Sequence, residues 1–124
     1  MLTKNERLKN RTLFNLTFKK RQKISTKLLS LYFLKDRKDI NKLPKCAFIV
    51  GLRVNKKSTK RNLIKRRMRE AYKLIYKKCF ASNDANYVLI WVAHPVIMEA
   101  TFIQIQKDME QILSKFIKLV RSKQ

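Results

Sequence analysis

Between Thr59 and Phe80 the chain runs for 22 residues without a proline or glycine. Within that run Ile64, Met68, Ala71, Tyr72, Ile75 and Cys79 recur three and four residues apart, which places them on one stripe of a helix. The spacing predicts a helix over Thr59–Phe80 with an apolar face that has to be covered. Phe102, Ile105, Met109, Ile112, Leu113 and Phe116 repeat the pattern and predict a helix over Glu99–Val120. A sheet is the natural cover for both. Leu28–Leu34, Ala47–Val54 and Tyr87–Ala93 read as strands, being short, apolar and rich in β-branched and aromatic residues. The last is preceded by the turn-like Ser82-Asn83-Asp84 and stopped by Pro95. The charged stretch from Lys35 through Pro44 reads as a loop. Near the start, Thr3–Lys20 carries Leu8, Leu13, Phe14, Leu16 and Phe18 among good helix formers and predicts a short first helix. The order helix, strand, strand, helix, strand, helix implies an α+β fold, a two-layer α/β sandwich with helices on a small central sheet. A chain of 124 residues, 45% of them apolar, fits one domain spanning 1–124.

Charge narrows the function. There are 31 Lys and Arg against 8 Asp and Glu, a formal net charge of +23. A compact domain with that surplus repels itself, and a polyanion relieves the repulsion. With one Gly, two Pro and abundant Lys, Asn and Ile, the composition resembles that of an AT-rich coding sequence. Such a bias inflates lysine, so placement carries more weight than the total. From Arg53 to Lys78 there are twelve Lys or Arg and a single acid, Glu70. At ~100° per residue, Asn62, Lys65, Arg66, Arg69 and Lys73 fall within about a third of the helix circumference, opposite the apolar stripe. A helix that needed only solubility would intersperse acids for i,i+4 pairing. Concentrated like charge costs helix stability until phosphates neutralise it, so this face is a nucleic-acid candidate. The helix start adds free backbone N–H groups, with Arg61 and Asn62 in the first turn and Lys56 and Lys57 just before it.

Other chemistries fit less well. Cys46, Cys79 and the single His94 are too few and too dispersed for a structural zinc site, and both cysteines read as small buried hydrophobes. No apolar run approaches the ~20 residues that span a bilayer. A metal-dependent nuclease needs carboxylates that converge on a cation. Glu6, Asp36, Asp39, Asp84, Glu99, Asp108 and Glu110 are scattered, and Glu70 stands alone on the basic helix. His94, before Pro95, reads as a strand-end residue rather than a general base. A DNA-binding helix-turn-helix requires a short preceding helix and a tight turn that are missing here. A structural or ribosomal RNA-binding protein explains the charge equally well, although such proteins often carry basic tails and here the charge lies within the fold.

The run Arg61-Asn62-Leu63-Ile64-Lys65-Arg66-Arg67-Met68-Arg69 resembles the Arg-Asn-x-x-Lys-Arg-x-x-Arg signature of the bacterial-type ribonuclease P protein family. Lys56-Lys57 resembles the family's strand-ending Lys-Lys. Arg7-Leu8-Lys9 with Phe14 and Phe18 resembles its first helix, and Leu31-Tyr32-Phe33 its first strand. The likeness runs from about Arg7 to the last helix. It departs in the link between Lys-Lys and Arg-Asn, which in the family is longer and contains glycine but here is only Ser58-Thr59-Lys60. Either the helix starts earlier, with Ser58 or Thr59 as N-cap, or the strand ends sooner.

The resemblance implies a left-handed βαβ crossover around the signature helix. It also implies a non-catalytic protein subunit of a ribonucleoprotein endonuclease, whose RNA hydrolyses the 5′ leader of precursor tRNA with bound Mg2+. Carried over by motif, Arg61, Asn62, Lys65, Arg66 and Arg69 are the expected RNA contacts, with Lys56 and Lys57 before the helix and Lys73 on the same charged face expected to join them. Phe14, Phe18 and Tyr32 are expected to line a cleft for the single-stranded leader, where aromatic stacking and cations do the holding. The expected partners are the catalytic RNA and precursor tRNA, with no membrane and no obligate protein partner. Met1–Leu16 is basic like a transit segment, but it contains Glu6 and the likeness begins at Arg7, so the expected location is cytoplasmic.

Overall fold

The computed structural model describes Asn15, Lys19 and residues 22–35, 45–79 and 87–122. Its elements are β1 (Lys23–Ser25), β2 (Leu29–Lys35), β3 (Lys45–Ile49), α1 (Ser58–Cys79), β4 (Tyr87–Ala93), a 3-10 turn (Pro95–Glu99) and α2 (Phe102–Ser122). The strands form one sheet in the order β1-β2-β4-β3. β1 and β4 each pair antiparallel with β2, whereas β3 runs parallel to β4. Parallel neighbours need a crossover, and α1 supplies it between β3 and β4.

Alternation along β2 separates the two faces of the sheet. Leu29, Leu31 and Phe33 point into the core, joined there by Leu89, Trp91 and Ala93 of β4 and Cys46 of β3. Ser30, Tyr32 and Leu34 face the other way. β4 is central and its Val88, Leu89, Ile90 and Trp91 are all fully buried, which explains why it reads as an unbroken apolar run. Both helices cover the core face. The predicted stripes are buried: Ile64, Met68, Ala71, Tyr72 and Ile75 from α1, and Ile105, Met109, Ile112, Leu113 and Phe116 from α2. α1 touches β3, α2 touches β1 and β2, and the two helices pack along each other. Edge-to-face ring pairs fasten each helix to the sheet. Tyr72 meets Phe48 and Trp91 at 5.8 and 6.0 Å, and Phe116 meets Phe33 and Tyr87 at 5.0 and 5.2 Å.

Several boundaries differ from the sequence reading. The second predicted strand, Ala47–Val54, begins at Lys45 and ends at Ile49. The chain then turns, with the Val54 N–H donating to the Gly51 carbonyl at 3.0 Å. Val50 and Val54 are buried, so their apolar character reports packing rather than extension. Lys56 and Lys57 therefore do not end a strand but sit in the exposed link to α1. The helix also starts early, because the Arg61 N–H donates to the Lys57 carbonyl and makes Lys57 the N-cap in place of Ser58 or Thr59. The last helix begins at Phe102 rather than Glu99, since Pro95–Glu99 form a 3-10 turn first. A reciprocal capping box marks its true start. Thr101 Oγ1 accepts from the Gln104 N–H at 3.2 Å, and Gln104 Oε1 accepts from the Thr101 N–H at 2.9 Å. β1 was not foreseen at all. Of the predicted first helix only Asn15 and Lys19 are described, both helical and exposed. Phe14 and Phe18 lie outside the described residues.

Candidate nucleic-acid interface

Burial of the apolar stripe against sheet and α2 fixes the rotation of α1, and that rotation turns its cations outward. Asn62, Arg66, Arg69 and Lys73 are exposed, while Lys65 is half-buried at the margin. No ion pair among the described residues ties up Lys65, Arg66, Arg69 or Lys73. Asn62, Arg66, Arg69 and Lys73 line a concave surface of about 770 Å³ together with Thr59, Lys60, Leu63 and Glu70. Lys65 is not part of that lining. Thr59, Lys60, Leu63 and Glu70 were missed as site neighbours, although Thr59, Leu63, Arg66, Glu70 and Lys73 follow the same three-and-four spacing that revealed the core stripe.

At the start of α1 the link is folded back on itself. Asn55 Oδ1 accepts from the Lys57 N–H at 2.9 Å. Arg61 Nη1 reaches back to the carbonyls of Asn55 and Lys56 at 3.4 and 3.3 Å. Arg61 thus braces the turn that carries Lys56 and Lys57, with further guanidinium donors left over. The first-turn N–H groups of Ser58, Thr59 and Lys60 precede the first intrahelical bond. Two lysines, an arginine fork and these backbone donors therefore gather at one helix end, an arrangement suited to phosphate.

Tyr32 is elsewhere. It lies mid-β2 on the face turned away from the core, half-buried, with the Lys23 ammonium 5.8 Å from its ring centre. The predicted site residues that are described thus fall on two surfaces, the outer side of α1 and the far face of the sheet. Beside Tyr32 on that far face, Ser30 is the single buried polar residue described. Its hydroxyl meets Ser25 Oγ and His94 Nε2, both at 2.8 Å, and His94 Nδ1 lies 3.3 Å from the Lys27 carbonyl. A proton on Nδ1 satisfies that carbonyl and leaves Nε2 to accept from Ser30. With the His94 N–H donating to Leu28 O at 2.9 Å, His94 pins the β1–β2 turn and is a structural clamp. Among the described residues no three His, Cys, Asp or Glu side chains converge where they could share a metal ion, and no described helix is long and apolar enough to cross a membrane.

A basic helix laid across a small mixed sheet, with its charge facing outward, makes this an α+β protein with one concentrated cationic helix face. The family model described as ribonuclease P matches residues 2–117. The chain is 27% identical over 114 residues to the ribonuclease P protein component of Alkaliphilus metalliredigens, covering 90% of this chain and 93% of that one. It is 29% identical over 109 residues to that of Alkaliphilus oremlandii, covering 88% and 89%. In fold it is similar to the RNase P proteins of Staphylococcus aureus (TM-score 0.73, 22% identity, 88% of this chain and 93% of that chain) and Thermotoga maritima (TM-score 0.73, 20% identity, 89% and 96%). This chain belongs to the ribonuclease P protein family.

Proposed function

We propose that the chain acts, as a single domain over residues 1–124, as the protein subunit of a cytoplasmic, bacterial-type ribonuclease P. In this reading α1 binds the catalytic RNA through Asn62, Lys65, Arg66, Arg69 and Lys73, with Lys56, Lys57 and Arg61 engaging phosphates at the helix start. The far face of the sheet, through Tyr32, holds the 5′ leader of precursor tRNA, and Phe14 and Phe18 are the further leader contacts that the family resemblance implies. Hydrolysis belongs to the RNA, with Mg2+ held mainly by the RNA. The protein screens the repulsion between two polyanions and adds leader contacts that mature tRNA does not offer.

The observation that carries this reading is the exposed row Arg66–Arg69–Lys73, without an ion pair among the described residues, on a helix whose other side is fully committed to the core. The reading is tested by measuring precursor and mature tRNA binding to the catalytic RNA with and without the protein. The expected result is a tightening for leader-bearing precursor that mature tRNA does not share. Equal tightening of both points instead to a structural or ribosomal RNA-binding protein without a role in cleavage.

A further inference from the structure

α1 carries a single carboxylate, Glu70, on a helix otherwise charged only by cations. Glu70 is exposed and lines the concave surface of about 770 Å³ beside Leu63, Arg66, Arg69 and Lys73. Arg66 lies four residues before it and Lys73 three after, the spacings at which helix side chains meet. An ordinary acid at such a position pairs with its neighbours and softens their charge. Among the described residues, however, no ion pair or hydrogen bond holds the Glu70 oxygens. Against a row of phosphates such a carboxylate only repels. What it attracts in RNA are donors, the N–H groups of base edges and the 2′-hydroxyls. Of the four bases only guanine presents two adjacent, parallel donors, N1–H and N2–H, on its Watson–Crick edge. They meet the two oxygens of a carboxylate as an arginine fork does. The concave surface is of a size that takes a nucleotide, and half-buried Leu63 offers a flat ring an apolar contact.

We propose that this surface of α1 reads one unpaired guanine of the catalytic RNA. Glu70 accepts from its N1–H and N2–H, while Arg66, Arg69 and Lys73 hold the phosphates on either side. Leu63 and the aliphatic stems of the cations contact the ring face. The cations set the affinity and Glu70 sets which nucleotide is accepted, because phosphate contacts position whereas base contacts specify. Any other base offers the carboxylate one donor group where guanine offers two, and a phosphate in its place is repelled. This inference rests on the reading of α1 as the surface for the catalytic RNA and adds the residue that selects within that RNA.

The test measures binding of the whole chain to a bacterial ribonuclease P RNA over a range of salt. Charge alone predicts that Glu70→Ala, which removes a negative charge, tightens binding. The subsite predicts the opposite sign, a weakening of roughly fivefold or more for the loss of one two-donor base contact. The log–log salt slope should not fall, because no phosphate contact is lost. Glu70→Gln carries the same charge as Glu70→Ala but keeps one acceptor oxygen, and its affinity should lie between those of Glu70→Ala and the parent chain. Thermal unfolding midpoints should not fall, since the site is exposed and alanine favours helix. A second arm identifies the base by placing inosine at random guanosine positions of the RNA, which removes the N2–H donors alone. The expected result is one position at which inosine weakens binding to the parent chain but not to Glu70→Ala. Unchanged or tighter binding by Glu70→Ala, or the absence of any such position, overturns the guanine subsite and leaves the α1 surface standing. A parent chain that binds the catalytic RNA no better than an unrelated structured RNA overturns the α1 reading and the subsite with it.

Discussion

At the scale of single residues, what decides a role is what each side chain already does in the folded protein. Arg66 and Arg69 are exposed and carry no ion pair among the described residues, whereas Arg61 spends part of its guanidinium on the Asn55 and Lys56 carbonyls. The double variant Arg66→Ala plus Arg69→Ala should therefore weaken RNA binding and lower the log–log salt slope by ~0.7–0.9 for each phosphate left unneutralised. An unchanged slope in a salt titration contradicts the assigned face. Phe14→Ala is expected to raise the dissociation constant for long-leader precursor and leave mature tRNA alone, which a paired binding measurement checks. Ser30 acts differently, because it is buried and bonded to both Ser25 and His94. Ser30→Ala strands the His94 acceptor and should lower stability by about 1–3 kcal/mol. Urea unfolding should show this as a lower midpoint at an unchanged m-value.

Among the elements, those with a long periodic signal were legible in the sequence and those made by a partner were not. Five of the six apolar positions read from spacing in each long helix are buried, Phe102 being only partly so and the Cys79 side chain lying outside the described ones. β4 matched Tyr87–Ala93 at both ends because a central strand must be apolar throughout. β1 has three residues and one apolar side chain, Ile24; it exists because β2 offers it a hairpin register. Val50 and Val54 looked like strand because a buried turn and a buried strand demand the same residue types. The Thr101-x-x-Gln104 capping box was present in the sequence but lay inside a span assigned to helix from Glu99, where its meaning was hidden. Thr101→Ala removes one half of that box and should cost about 1 kcal/mol of stability. Thermal unfolding measures it, and RNA affinity should not change. The signature face of α1 was legible because one rotation angle sets it, while the Lys23–Tyr32 pair was not, since only cross-strand register brings it together.

Across the whole molecule, the two long helices share one face of the sheet and leave two separate surfaces as the candidates for RNA. The fold buries α1's stripe so completely that its cations have no direction but outward, and a net charge of +23 makes a polyanionic partner the natural complement. The far sheet face adds aromatic and hydroxyl groups of a kind suited to an unpaired strand. On the proposed reading the protein screens repulsion between RNAs, so its contribution should be greatest where that repulsion is least screened. The most direct measurement is precursor-tRNA cleavage by a bacterial ribonuclease P RNA at low magnesium, with the chain absent, present, or carrying Arg66→Ala plus Arg69→Ala. The account predicts that the chain restores cleavage at the mature 5′ end and that the folded double variant does not. Tight RNA binding without restored cleavage would contradict it and mark a general RNA-binding protein instead.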